Sequence, residues 1–441
     1  MDIDSILKPF QRFGVHLGLD RIQKLLACLG NPHHQVPIIH VAGTNGKGSV
    51  CAYLSSVLTH SGYRVGRYTS PHLVDWTERI CLNEQPIAAD TLQQLLLQVK
   101  NAIHSDQETP TQFEVITAAA MLYFAQSCVD VAVVEVGLGG RLDATNVSDR
   151  PLVTIITSIS REHWQQLGPT LADIAREKAG ILKPGCPAVV GRLPIEAEAV
   201  VRSRLAQLAC PVVWVKPAQE VAPGWAKFRT QLSEVRRQEP KVEENTTHSS
   251  LLTPHSFKYP LPLLGQMQLS NSAIAIAALQ ILQQQGWDIS DEVIVSGMAK
   301  TQWAGRLQWT TWQNHRLLID GAHNPAAAQA LRQYVDTLNV KSVNWVIGML
   351  STKEHEEIFQ ALLRPGDRLY LVPVPDHSSA NPAELAKLAD QICPLAACHI
   401  YDDLFRALEA VVESPDLIVL CGSLYLIGYF LGTAEAQRTQ R

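Results

Sequence analysis

His40-Val41-Ala42-Gly43-Thr44-Asn45-Gly46-Lys47-Gly48-Ser49-Val50 is the stretch from which the fold of this chain is read. A β-branched apolar run, 36–42, enters a loop containing three glycines, and an apolar helical pattern, 50–60, leaves it. Strand, loop and helix in that order are the setting of a phosphate site. Glycines let backbone N–H groups face one anion, and the helix amino terminus adds partial positive charge. Lys47 is placed to pair with β/γ-phosphate oxygens and the Ser49 hydroxyl to ligate magnesium. Gly48 separates Lys47 from Ser49, so the spacing departs from the strict Walker A form, and a glycine-rich turn with an exposed lysine is the competing reading.

Outward from the loop, the β-branched runs 129–136, 152–158 and 187–190 predict further strands. Short apolar runs alternating with longer helical patterns indicate a parallel sheet wrapped by helices, so the fold class is α/β. Residues 217–258 break this rhythm with Pro, Gly and charged residues, which predicts a surface excursion, with a lid or partner-binding arm as the alternative. Helices over 271–284 and 289–300 follow. A second alternation then predicts strands at 317–319, 343–347, 368–372 and 417–421, with helices beginning near Pro325, Glu354, Pro382 and Asp402. The layout is an ATP-binding domain over 1–298, a linker over 299–305 and a smaller α/β domain over 306–441, with no internal repeat joining the two.

Over 441 residues, a 46% hydrophobic fraction suffices for a core in each domain. A formal net charge of -5 argues against the broad basic face of a nucleic-acid binder. Met1-Asp2-Ile3-Asp4 does not resemble a secretory signal, and no apolar stretch has membrane-spanning length. Nine cysteines without a C-x-x-C pair read as reduced core thiols of a cytoplasmic protein. The sequons at Asn146 and Asn245 read as chance.

Two further strand ends carry chemistry. Val131-Ala132-Val133-Val134-Glu135 ends in a carboxylate ahead of Gly137-Leu138-Gly139-Gly140-Arg141, which makes Glu135 a candidate magnesium ligand, or else the partner of Arg141. The strand ending near Ser158 leads into Ser160-Arg161-Glu162-His163 at a carboxyl end, where open α/β sheets collect ligands. His163 is therefore a candidate metal ligand, with a solvated histidine as the alternative.

Together these segments resemble the folylpolyglutamate synthase and dihydrofolate synthase family, relatives of the Mur ligases. The resemblance rests on G-T-N-G-K-G-S at 43–49, T-S-P-H-L at 69–73, E-V-G-L-G-G-R-L-D-A-T-N at 135–146, E-K-A-G-I at 177–181, W-A-G-R at 303–306, D-G-A-H-N-P at 320–325 and G-S-L-Y-L at 422–426. It implies a P-loop-containing, Mur-ligase-like central domain and a smaller Rossmann-like, glutamate-ligase-like domain closing over ATP and the amino acid. It also implies that Gly43, Thr44, Asn45, Gly46, Lys47, Gly48 and Ser49 bind the nucleotide with Asn271, Arg306, Asp320 and His323. Ser49, Glu135 and His163 would hold magnesium, as two ions, and Lys178 would become carbamylated, with Lys47, Lys178 and His163 catalytic. A surface Lys178 paired with Glu177 is the alternative. Ser70, His72 and Arg79 would border the pterin. The chain departs from the family pattern at Met267, where histidine is usual, and at Glu162 and Glu354, where aspartate is usual.

The implied reaction is addition of L-glutamate to dihydropteroate or to a reduced folate, in a monomer with small-molecule substrates and neither nucleic-acid nor membrane partners. ATP would convert the substrate carboxylate, a poor electrophile, to an acyl phosphate that the glutamate amine attacks. A Mur-type ligase acting on a nucleotide-linked peptide is the nearest alternative. A nucleotide switch would be expected to carry an N-K-x-D motif, which is absent, and a degenerate binder would be expected to have lost the loop lysine.

Overall fold

The computed structural model describes residues 2–11, 17–104, 108–230 and 256–439. Its contacts divide into two compact units. The first comprises Met1–Ser70, Trp76–Pro262 and Gln268–Gln302; the second comprises Pro71–Asp75, Leu263–Met267 and Trp303–Arg441.

The strands of the first unit are β1 Ile38–Ala42, β2 Val65–Tyr68, β3 Ile80–Leu82, β4 Gln85–Pro86, β5 Val131–Glu135, β6 Val153–Ile156, β7 Ala188–Val190 and β8 Val212–Trp214. They form one sheet in the order β4-β3-β2-β5-β1-β6-β7-β8, parallel from β2 to β8 and antiparallel at the β2-β3-β4 edge. Every residue of β1 and of β5 is buried, the expected state of strands covered on both faces. The helix Lys47–His60 is buried along most of its length. A side chain at Gly297, on the helix Asp291–Ala299, would stand 2.6 Å from the Val57 Cα, so glycine there permits close helix packing.

The predicted excursion is structured at its flanks. β9 Gln219–Ala222, β10 Trp225–Arg229 and β11 Ser256–Pro260 form a three-stranded antiparallel sheet, with Ala226, Phe228 and Tyr259 buried. The alternation that buries one face of this sheet is short and carries Lys and Arg between apolar residues, which is why composition alone reads it as surface. The remainder of the excursion, 231–255, lies outside the described residues.

In the second unit β12 Gln308–Trp312, β13 His315–Ile319, β14 Val343–Ile347, β15 Arg368–Leu371, β16 Ala397–Ile400 and β17 Leu417–Cys421 pair in the order β12-β13-β17-β14-β15-β16. Only β12 is antiparallel to its neighbour. Helices Pro325–Thr337, His355–Leu362, Pro382–Ile392, Leu404–Val411 and Leu424–Thr439 connect or follow these strands. Asp367 holds one end of the sheet: its carboxylate takes hydrogen bonds from Arg332 at 2.8 Å, Trp345 Nε1 at 2.9 Å and the Val343 amide at 3.1 Å. Leu73 and Leu264, both from the short N-terminal segments of this unit, pack on its cores.

The nine cysteines are all free, but Cys28, Cys128 and Cys398 are exposed, so only six match the expectation of core thiols. Each of the three lies in a helix end, a turn or an edge strand, where an apolar neighbourhood in sequence does not bring burial. Among the described residues no helix is long and apolar enough to cross a membrane.

Candidate active site

β1 delivers the chain into the predicted phosphate loop, and the helix Lys47–His60 begins directly after Gly46. Gly46 has φ 88°, a left-handed conformation that favours glycine, and a side chain there would stand 2.4 Å from Asn271 Oδ1. A side chain at Gly43 would meet Thr157 Oγ1 at 1.9 Å. Both glycines are thus required by space as well as by backbone freedom.

Two ammonium groups converge on one loop carbonyl. Lys47 Nζ donates to Gly43 O at 3.1 Å and Thr44 O at 3.0 Å, and Lys178 Nζ donates to Gly43 O at 2.7 Å. Lys178 is 5% exposed. Burial, and then the neighbouring Lys47 charge, push its pKa down to about 7, against the pull of Glu162 and Asp143. The surface pairing of Lys178 with Glu177 is overturned, because Glu177 instead accepts from Arg141 Nη2 at 2.9 Å. The same contact displaces the alternative pairing of Arg141 with Glu135.

Glu135 is buried at the end of β5, and its Oε2 accepts from the Ser70 amide at 3.3 Å. Ser70, expected at the pterin side, therefore lies beside the candidate metal carboxylate. Ser49 is buried in the first turn of its helix, where its hydroxyl accepts from Gln268 Nε2 at 3.3 Å. Gln268 Oε1 in turn accepts from Asn271 Nδ2 at 3.0 Å. Gln268 has no role in the sequence reading, yet it lies three residues before Asn271 on one helix face, a spacing that signals the contact.

His163 has φ 51° and its side chain is 44% exposed, with Nε2 4.0 Å from Glu162 Oε1. Among the described residues no cluster of three or more His, Cys, Asp or Glu is assembled. Magnesium does not require one, because it binds through one or two protein oxygens together with phosphates and water. The buried oxygen donors of Glu135 and Ser49 fit such a partial shell, and the half-buried Ser70 meets Glu135 through its amide.

A second buried acid, Asp143 of the D-A-T-N string, organises the glycine stretch after β5. It accepts from the Leu138 amide at 2.8 Å and from Thr145, whose hydroxyl also meets His40 Nε2 at 2.9 Å. Burial raises the Asp143 pKa, and hydrogen bonds from Thr145, Leu138 and Gly137 oppose that rise. Near the T-S-P-H-L string, the Arg79 guanidinium lies 4.4 Å from the centroid of the Trp76 ring, and Trp76 Nε1 donates to Asp4 at 2.8 Å. His72 is half-buried and belongs to the second unit.

Within that unit Asp320 ties the W-A-G-R segment to β13. Its Oδ2 accepts from the Leu307 amide and its Oδ1 from the Ala322 amide, each at 2.8 Å. Burial raises the Asp320 pKa, while Arg306 and these amides lower it. His323 Nδ1 lies 2.8 Å from Gly321 O, and Arg306 Nη1 would be 2.4 Å from a side chain placed on Gly321. Arg306, Asp320 and His323 thus form one local group.

Residues 41–279 match the Mur ligase middle domain and 305–433 the dihydrofolate synthetase C-terminal domain. The chain is 34% identical to the dihydrofolate synthase/folylpolyglutamate synthase of Bacillus subtilis, over 94% of each chain. Among solved structures it resembles Escherichia coli FolC in complex with DHPP and ADP, with a TM-score of 0.80, 29% identity and coverage of 98% and 97% of the two chains. Mycobacterium tuberculosis folylpolyglutamate synthase complexed with ADP and AMPPCP matches with a TM-score of 0.80, 27% identity and coverage of 97% and 96%. With most of its length matched and its phosphate loop, buried acids and small-domain turn in place, the chain belongs to the dihydrofolate synthase/folylpolyglutamate synthase family.

Proposed function

We propose that this protein is an ATP-dependent ligase that joins L-glutamate to dihydropteroate, to the glutamate tail of reduced folates, or to both. The observation that carries the reading is the convergence of Lys47 and Lys178 on the phosphate loop, beside a helix amino terminus. The nucleotide complexes of its relatives support ATP as the phosphoryl donor.

Lys47 leaves the loop carbonyls to pair with the β/γ-phosphates, and the helix amino terminus receives the remaining negative charge. Transfer of the γ-phosphoryl group to the substrate carboxylate gives an acyl phosphate. The glutamate α-amine attacks its carbonyl, and phosphate departs as the amide forms. Ser49, Glu135, Ser70 and His163 are the residues that would hold magnesium, with Ser70 added on its contact with Glu135. Bound there, magnesium neutralises charge on the transferring phosphoryl group. Arg306, Asp320, His323 and Asn271 are assigned to the nucleotide, and His72 and Arg79 to the pterin side.

Lys178 fits the carbamylation reading for a physical reason. A pKa of about 7 leaves a substantial neutral fraction at physiological pH, and the neutral amine is the form that adds carbon dioxide. The product is an anion where a buried cation stood.

ADP release with magnesium, ATP and glutamate is expected to require dihydropteroate or a reduced folate, and Lys47→Ala is expected to abolish it. Absence of turnover with both acceptors would sink the folate assignment. Short carboxylic acids are expected to restore part of the activity of Lys178→Ala, whereas undiminished activity of that variant contradicts carbamylation.

A further inference from the structure

β1 and β6 run parallel, paired up to Ala42 and Ile156. Past their ends the ladder continues through the backbone, with the Thr157 amide donating to Ala42 O at 2.9 Å and the Thr44 amide to Ser158 O at 2.7 Å. There the two chains diverge, and one side chain extends the pairing. Thr44 Oγ1 donates to Ser160 O at 3.1 Å and accepts from the Ser160 amide at 3.0 Å, engaging both polar groups of one residue. The loop beside it is held in the same way: Ser158 Oγ accepts from the Asn45 amide at 3.1 Å and donates to Asn45 O at 2.9 Å.

Thr44 is 4% exposed, and its amide and hydroxyl are both committed to the 158–160 segment. Three residues further on, His163 occupies a left-handed backbone conformation, which a non-glycine residue keeps only where its surroundings impose it. The Ser160 hydroxyl is buried without a hydrogen-bond partner, so the turn is not arranged to satisfy its own polar groups.

We propose that Thr44 is a positioning residue that fastens the turn carrying Glu162 and His163 to the phosphate loop, and so sets the metal side of the site relative to the phosphate side. The proposal rests on the reading of His163 as a magnesium ligand. The Thr44 hydroxyl is committed to the Ser160 backbone, and through the turn it supports His163 as an outer-shell partner supports a metal ligand.

Thr44→Val keeps the shape and removes the hydroxyl, whereas Thr44→Ser keeps the hydroxyl. Amide hydrogen exchange and calorimetric ADP binding, with magnesium and with a chelator, test the pair. Thr44→Val is expected to speed exchange at the Ser160 amide and to weaken ADP binding more in magnesium than in the chelator. Its magnesium-dependent gain in affinity should fall by roughly 10–100-fold, the usual cost of losing such a partner. Thr44→Ser should restore both properties. Equal weakening of ADP binding with and without magnesium would make Thr44 a nucleotide ligand and overturn the proposal, as would a magnesium gain preserved in Thr44→Val. Wild-type protein that binds ADP no better with magnesium defeats the metal reading itself, a failure distinct from that of the fastening.

Discussion

Lys178 is an amine held in the interior with another ammonium group near it, and both circumstances disfavour its charge. Its folded pKa lies below its unfolded one. Between those values the unfolded chain binds more protons, so stability from this group rises with pH above about 7 and is lowest where the lysine is charged in both states. The cost of charged burial is on the order of 5 kcal/mol. In carbonate-free buffer Lys178→Met is therefore expected to melt above wild type near about pH 6, with the difference shrinking toward about pH 10. Thermal melts across that range check it; a difference independent of pH would show that the amine is not the cause. Sequence alone singles out Lys178 by its place in the E-K-A-G-I string but leaves open a surface pair with Glu177, because the pattern of one short helix does not reveal which loop its inner face meets. Arg67 teaches the same lesson: it lies in β2 and is buried against Glu84, Ser55 and Cys81, where a charged residue in a short run reads as exposed.

At the scale of elements, the strands most legible in sequence are those covered on both faces. β14 and β17 appear over the predicted residues, and β5 and β6 lie inside theirs, because continuous burial writes a continuous apolar run. The β2-β3-β4 edge and β12 escape that pattern. They are short or mixed with Gly, Arg, Gln and Thr, and their places are set by neighbours distant in sequence. The helix after the phosphate loop begins at Lys47, three residues before its apolar pattern, because the loop glycines continue into its first turn. The packing of that turn against Asn271 yields a sharp test. Gly46→Ala is expected to cost about 1–2 kcal/mol from the left-handed backbone alone, plus the clash with Asn271 Oδ1. In an Asn271→Ala background the clash part disappears while the backbone part stays, so in urea unfolding of the four proteins the double variant should be less destabilised than the sum of the two single variants. Strict additivity would mean that the two side chains do not compete for one space.

The molecule as a whole is two units whose chain segments interleave: 71–75 and 263–267 belong with the C-terminal 303–441. Leu73 packs on the core built by β13, β14, β17 and the final helix. A side chain at Gly428 would meet the Leu73 carbonyl oxygen at 1.7 Å, so glycine there makes room for backbone, not for another side chain. Leu264 and Met267 pack on the other core of the same unit. An isolated 303–441 fragment is accordingly expected to melt below the corresponding transition of the full chain, measured by near-ultraviolet circular dichroism, since it lacks these segments. A fragment melting at the same temperature would show that the two segments contribute nothing.

The Leu73–Gly428 contact also bears on inheritance. A recombination event that replaced everything after residue 302 with a relative's sequence would keep the old 71–75, and a bulkier residue arriving at position 428 would strike backbone that no rotamer change can move. Chimaeras of this chain should therefore survive when the T-S-P-H-L segment is exchanged together with the C-terminal one, so that two stretches far apart in the gene behave as a single heritable part.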